Sequence, residues 1–169
     1  DAVMAILMLA MMVPFVAVLV PLFQMFTKAK LINSWAGFIL PSISTPFLIM
    51  YFRNSARSFP KDTIEAARID GLNEFQIFIR MFIPMMKPTY ASAATITFMN
   101  AWNAYLWPKV IMQTNEAITM PMLVANTMGG YVIDYGVVMA AVTICSLPTV
   151  IIFFCLQKSF TNAVAGAVK

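Results

Sequence analysis

Apolar residues run through this chain in four long blocks, and the polar residues gather between them. The blocks cover Val3 to Phe26, Ser34 to Phe52, Thr89 to Leu106 and Val137 to Leu156. Each approaches the ~20 residues that carry a helix across a ~30 Å hydrocarbon layer. The pattern predicts four transmembrane helices in an all-α polytopic bundle. A soluble helical domain would need polar outer faces, and these blocks lack them. Prolines interrupt the blocks at Pro14 and Pro21, at Pro41 and Pro46, and at Pro148. Each removes a helical hydrogen bond and bends its helix. Such bends serve either as curvature in a packed bundle or as hinges in one that rocks.

One stretch breaks this rhythm. "DTIEAARIDGLNEFQIFIRMFIP", from Asp62 to Pro84, is polar and regular in a chain of which only 11% is charged. Pro60 stops the second block by disfavouring helix at Phe59. Asp62 is placed to cap a short helix over Thr63 to Asp70, with Glu65 completing a box-like start. Glu65 and Arg68 stand at i, i+3 spacing, where they can pair. Gly71 can end the helix in the left-handed conformation. Asn73 and Gln76 repeat the start signal. Phe75, Phe78, Ile79 and Phe82 then fall at i, i+3, i+4, i+7, an apolar stripe that would fasten the second helix to the bundle. The first helix would present Glu65, Ala66 and Ala67, small residues beside a charge that another surface can approach closely.

Composition agrees with a membrane chain: 61% of residues are hydrophobic and the mean hydropathy is +0.81. The +4 net charge changes the picture through its placement. Arg53, Arg57, Lys61, Arg68, Arg80 and Lys87 lie between the second and third blocks, and Lys158 and Lys169 follow the fourth. The opposite loops hold Lys28, Lys30 and Lys109. The positive-inside rule puts residues 53–88 and the C-terminus in the cytoplasm, with no need for a nucleic-acid partner. Trp35, Tyr105 and Trp107 sit near span ends, where amphipathic aromatics anchor at the interface. "KAKLINS" and "MGGY" at Met128–Tyr131 read as outer turns. Glu116 and Asp134 are outer-loop charges. Cys145 and Cys155 stand about 15 Å apart along one helix and cannot bond to each other. The chain opens at Asp1 with no charged leader, and a fragment lacking upstream helices is expected.

The polar stretch also resembles the EAA motif of ABC-importer permeases: Glu-Ala-Ala, three residues, Gly, nine residues, then Ile-x-Leu-Pro. Here Glu65-Ala66-Ala67 is followed by Gly71 and then by Met81-Phe82-Ile83-Pro84, with Met81 and Ile83 as conservative replacements. "EAARIDG", with Asp70 before the glycine, is similar to the carbohydrate branch of that family, of the second maltose-permease type. "WNAYLWP" at Trp102–Pro108 resembles that branch's Trp-Asn-Asp-Phe-Leu-Trp-Pro, with Ala104 where an acid is frequent. "NAVAGAVK" resembles its C-terminal Gly-Leu-Thr-Ala-Gly-Ala-Val-Lys. The resemblance implies a single transmembrane permease domain over 1–169 of the type I importer kind, with a cytoplasmic coupling-helix loop at about 59–88. It implies ATPase docking through Glu65, Ala66, Ala67, Asp70 and Gly71. It further implies cytoplasmic ATPase subunits, a second and different permease subunit and an extracellular solute-binding protein as partners, in the plasma membrane.

The residues bear on this independently. No Gly-x-x-x-x-Gly-Lys-Ser/Thr loop is present, so energy is expected from a partner. There is no histidine, and no metal-spaced cluster, cofactor site or nucleophile with its base emerges, so an enzyme is not expected. An ion-coupled secondary carrier would place acids or bases inside its spans, and these four hold none. An importer for an amino acid, a peptide or glycerol phosphate is the alternative within the family. Thr97, Asn100 and Asn103 at i, i+3, i+6, followed by Tyr105 and Trp107, draw a polar line ending in aromatics. That line would either line a sugar path or hydrogen-bond between helices.

Overall fold

The structure is a computed structural model that describes residues 2–114, 118–129 and 133–166, with side chains as far as residue 155. Helices α1 (Ala2–Met12) and α2 (Phe15–Lys28) are followed by α3 (Trp35–Ile39), a 3-10 turn at Leu40–Ser42 and α4 (Pro46–Arg57). Then come α5 (Lys61–Ile69), α6 (Glu74–Ile77), a π-turn at Phe78–Phe82, α7 (Ile83–Met85) and α8 (Lys87–Trp102). Leu106–Ile111 is α9, Met120–Thr127 is α10 and Tyr135–Gly166 is α11. No strand occurs among the described residues. The all-α expectation holds.

The helices are divided differently from the four expected blocks. Among the described residues only Tyr135–Cys155 is a helix long and apolar enough to cross a membrane alone. Two bent pairs, α1 with α2 and α3 through Ser42 with α4, raise the number to three if each is one span. The first expected span is broken by a 97° bend. Pro14 sits there with extended backbone, ψ 136°, and its ring cannot continue the preceding helix. The third expected span, Thr89 to Leu106, is two helices. The chain leaves the helix after Trp102, so α8 has 16 residues and reaches only about 24 Å. The second expected span bends by 44° where Thr45 caps α4 and Pro46 opens it. Pro148 stays inside α11.

Packing explains what holds these pieces. Phe26, Trp107, Ile111 and Met112 form a buried cluster, with Leu19, Leu22, Leu31, Ile32 and Phe38 against it. Phe26 meets the Trp107 ring edge-on at 5.3 Å, a favoured aromatic geometry. α8 packs along α11 and against α4. It buries the small residues Ser92, Ala93 and Thr95, as expected where helices approach closely without a water-driven force. Trp102 Nε1 donates to Cys145 O at 2.9 Å, tying the end of α8 to the middle of α11. Only 6% of the apolar stretch of α11 is buried, so most of that helix needs an apolar surrounding outside this chain.

Candidate functional site

The polar insert folds as a helix–turn–helix. Phe59 is buried and Pro60 turns the chain, so α5 begins at Lys61, earlier than expected. Asp62 is not the cap. Pro60 holds that place with no side-chain bond, and Asp62 falls in the first turn, where its charge suits the helix dipole. The other end is as the sequence predicts. Gly71 has φ +81°, Leu72 N donates to Ala67 O and Gly71 N donates to Arg68 O, both at 3.0 Å. This pair of bonds is a Schellman ending, and it requires the left-handed residue that glycine supplies. Glu65, Ala66, Asp70 and Gly71 are exposed. Ala67 is not presented: at 3% exposure it faces inward and seats the helix.

α6 opens with the capping box expected of Asn73 and Gln76, the Asn73 side chain accepting from Gln76 N at 2.9 Å. Arg68 does not pair with Glu65. Its Nε donates to Glu74 Oε1 at 2.7 Å, bridging α5 to α6 across the turn. That bond raises Arg68 above the usual guanidinium value and lowers Glu74 below the usual carboxylate range. The apolar stripe needs correction as well. Phe75 is 71% exposed and Phe78 and Ile79 are also exposed, whereas Ile77 is buried. Phe75 stands on the outer side of α6, whereas Phe78 stacks on Phe82 with ring centroids 5.7 Å apart, so only the later part of the stripe is assembled. Phe82 keeps the anchoring role, its ring 5.1 Å from that of Phe59. Sequence reading passed over Ile69, which is 87% exposed beside Gly71. A helical wheel of α5 alone puts Ile69 with Asp62, Glu65 and Ala66, and that was the available signal.

The polar line on α8 is partly assembled. Thr97, Asn100 and Asn103 are all exposed. Asn103 closes the helix, its Nδ2 donating to Met99 O at 2.9 Å. Tyr105 is half-buried, and Lys109 Nζ donates to its hydroxyl at 2.6 Å. Trp107 stands apart. It is buried, its ring meets Phe26 and Phe15, and its Nε1 donates to Gly37 O at 3.1 Å. Its ring is therefore committed to the core and not to the exposed line. Asp134 accepts from Gly136 N and Val137 N and caps the start of α11. Glu116 and Tyr131 lie outside the described residues.

Sequence reading missed Asn33 and Gly37. Asn33 has φ 55°, donates its N–H to Ile111 O, and accepts from Gln113 N and Thr114 N. It clamps the loop after α2 onto the end of α9. Gly37 lets this corner close, because a Cβ there would lie 2.0 Å from Leu31 O. The turn signal "KAKLINS" located the loop, but nothing local announces contacts with residues some 80 positions away.

Relatives agree with this architecture. The chain is 39% identical, over its whole length, to the lactose transport system permease protein LacG of Rhizobium radiobacter. It is 33% identical to the arabinooligosaccharides transport system permease protein AraQ of Bacillus subtilis, again over its whole length. The melibiose/raffinose/stachyose import permease protein MelC of the same organism is 33% identical over 99% of the chain. The chain spans 62%, 60% and 62% of these three relatives. The crystal structure of a bacterial ABC transporter involved in the import of the acidic polysaccharide alginate superposes with a TM-score of 0.73 at 25% identity, covering 83% of this chain and 55% of that one. Residues 1–166 match the family described as binding-protein-dependent transport system inner membrane component, and the chain belongs to that family.

Proposed function

We propose that the protein is a transmembrane permease subunit of an ABC importer that moves a carbohydrate across the plasma membrane, driven by ATP hydrolysis in partner subunits. The carbohydrate assignment is supported by the sugar-transport names of the relatives above. The observation that carries the mechanism is the lever: an exposed helix–turn–helix, braced internally, in a chain many of whose other exposed side chains are large and apolar. Glu65, Ala66, Asp70 and Gly71, with Ile69 and Phe75, form its contact surface for a cytoplasmic ATPase, and Ala67 seats it. Residues 53–88 and the C-terminus face the cytoplasm on the strength of the basic residues. A second permease subunit covers the exposed face of α8, so that Thr97, Asn100, Asn103 and Tyr105 line a path between subunits. Trp107 holds α9 in place behind it. A solute-binding protein delivers sugar from outside.

The test is reconstitution of the full-length protein with its partners. Gly71→Val and Glu65→Lys should leave the protein in the membrane yet abolish ATPase co-purification or uncouple hydrolysis from uptake. Unchanged co-purification, hydrolysis and uptake in both would return the insert to an ordinary loop.

A further inference from the structure

Pro148 lies inside the apolar stretch of α11. It has no N–H, so the helix offers no donor to the carbonyl of Ile144, four residues before it, and the turn between them is weakened. Hydroxyls on either side of this turn bond back along the helix. Thr143 Oγ1 donates to Met139 O and Ser146 Oγ donates to Val142 O, each at 2.8 Å and each four residues back.

At Cys145 the side-chain donor comes from another helix. Trp102 Nε1, at the end of α8, donates to Cys145 O at 2.9 Å. The Trp102 ring stacks on Phe98 with centroids 5.8 Å apart, which holds the indole in place. Thr149 stands four residues after Cys145, spaced for the backward bond that Thr143 and Ser146 make. It does not make it. Its hydroxyl oxygen is buried and has no hydrogen-bond partner, a costly state for such a group.

The two observations explain each other. A helical carbonyl has two lone pairs and gives one to the helix, so it takes one side-chain donor. At Cys145 the indole already fills that place. A threonine in a helix divides between two rotamers because one of them carries its hydroxyl to a carbonyl one turn back. Cys145 O therefore has two alternative donors, Trp102 from α8 and Thr149 from its own helix, and one of them is engaged. We propose that Trp102, Cys145 and Thr149 form a two-state latch on a hinge at Pro148. In the state seen here the indole ties α8 to α11. In the other state α8 draws away, the Thr149 hydroxyl takes over Cys145 O, and α11 bends further, as back-bonded hydroxyls bend helices. The exchange satisfies the carbonyl in both states, which makes the element bistable. α8 follows the lever through α7 and ends beside Asn103, so a push on the lever reaches the latch along one helix. The inference rests on the ATP-driven importer reading.

The test uses the complete importer in nanodiscs, with Cys145 and Cys155 replaced by alanine. Spin labels at Val137→Cys and Ile151→Cys, both exposed, bracket the hinge about 21 Å apart at ~1.5 Å per residue. Failure of any ATPase subunit to co-purify with the wild type ends the importer reading and the latch with it. With the ATPase bound, pulsed electron resonance should find two label distances whose ratio changes when ATP is trapped with vanadate. Trp102→Phe keeps the ring and removes the donor; Thr149→Val keeps the shape and removes the hydroxyl. They should move that ratio in opposite directions, each about three- to tenfold, the worth of one hydrogen bond. Thr149→Ser should match the wild type. If Trp102→Phe does not assemble, a shift in Thr149→Val that Thr149→Ser lacks decides for the latch. A single unchanged distance with the ATPase bound, shifts in the same direction, or a ratio that Thr149→Val leaves as in the wild type overturns the latch and leaves the importer reading standing.

Discussion

Gly37 and Gly71 are both indispensable glycines, but for opposite reasons. At Gly37 the backbone is ordinary and space is missing: an added Cβ would sit 2.0 Å from Leu31 O. At Gly71 space is free, with nothing within 4 Å of an added Cβ, and the backbone is special, with φ +81°. The first belongs to a closed corner, where Trp107, Phe26 and Ile111 are buried and Asn33 ties two loops together. The second belongs to an open lever whose apolar residues, Ile69 and Phe75, point away from the chain. The closed corner spends its contacts on the fold. The open lever leaves its contacts unmade, as a part that must meet a partner does.

The contrast breaks first at Gly37. Gly37→Ala should destabilise the protein by roughly 3 kcal/mol, because the clash is with backbone that cannot move aside. Thermal unfolding of the purified protein should show a large fall in Tm or no folded material. Asn33→Ala comes next, at about 1 kcal/mol, since it strains a positive φ and removes the bonds tying the two loops together, while water takes up the exposed Gln113 and Thr114 donors. Asn33→Gly should recover the strain but not the bonds, and Tm of the pair separates the two contributions.

How much of this was legible differs between the two regions. The lever could be read from sequence because its determinants are local: Gly71 and its Schellman turn, and the Asn73–Gln76 box, lie within a few residues of one another. What failed there depended on tertiary detail. Asp62 lost the cap to Pro60, Arg68 chose Glu74 over Glu65, and α6 turned Ile77 inward and left Phe75 outward. The corner was nearly invisible, because Asn33 and Trp107 act on partners 70 or more positions away. The Trp107 aromatic signal was seen but placed on the path, since span-end tryptophans and core tryptophans look alike in sequence. The helical class followed from apolar block lengths. Pro14 announced a bend, but neither its size of 97° nor the break at Asn103 followed, since both depend on how neighbouring helices re-satisfy the backbone.

Smaller effects sharpen the comparison on the lever side. Gly71→Ala should cost only about 1 kcal/mol of stability, the strain of a left-handed backbone without a clash. It should still lower coupling between ATP hydrolysis and uptake, because it redirects α5. A fall in Tm as large as that of Gly37→Ala would erase the distinction between the two glycines. Ile69→Ser and Phe75→Ser should leave stability within about 0.5 kcal/mol of wild type, as exposed positions do, and weaken ATPase co-purification.

The Arg68–Glu74 brace is the smallest contributor, since both side chains are largely exposed. Glu74 is lowered in the folded state, so its contribution is present above the ordinary carboxylate value and fades as pH falls through the lowered one. Hydrogen exchange over residues 68–76 should be slower in wild type than in Glu74→Gln at neutral pH and converge with it in acid. Identical exchange at neutral pH would remove the brace.

The central claim is that the Gly71 turn meets an ATPase on the cytoplasmic side. The direct measurement places a single thiol on it, Ile69→Cys, in full-length protein whose Cys145 and Cys155 have been replaced. The assembled importer is treated with a short thiol cross-linker, and intact cells are treated with an impermeant thiol reagent. The account predicts a cross-link between this position and the ATPase subunit, and labelling only after the cells are opened. Labelling in intact cells, or a functional importer in which Ile69→Cys reaches no ATPase residue, would contradict it.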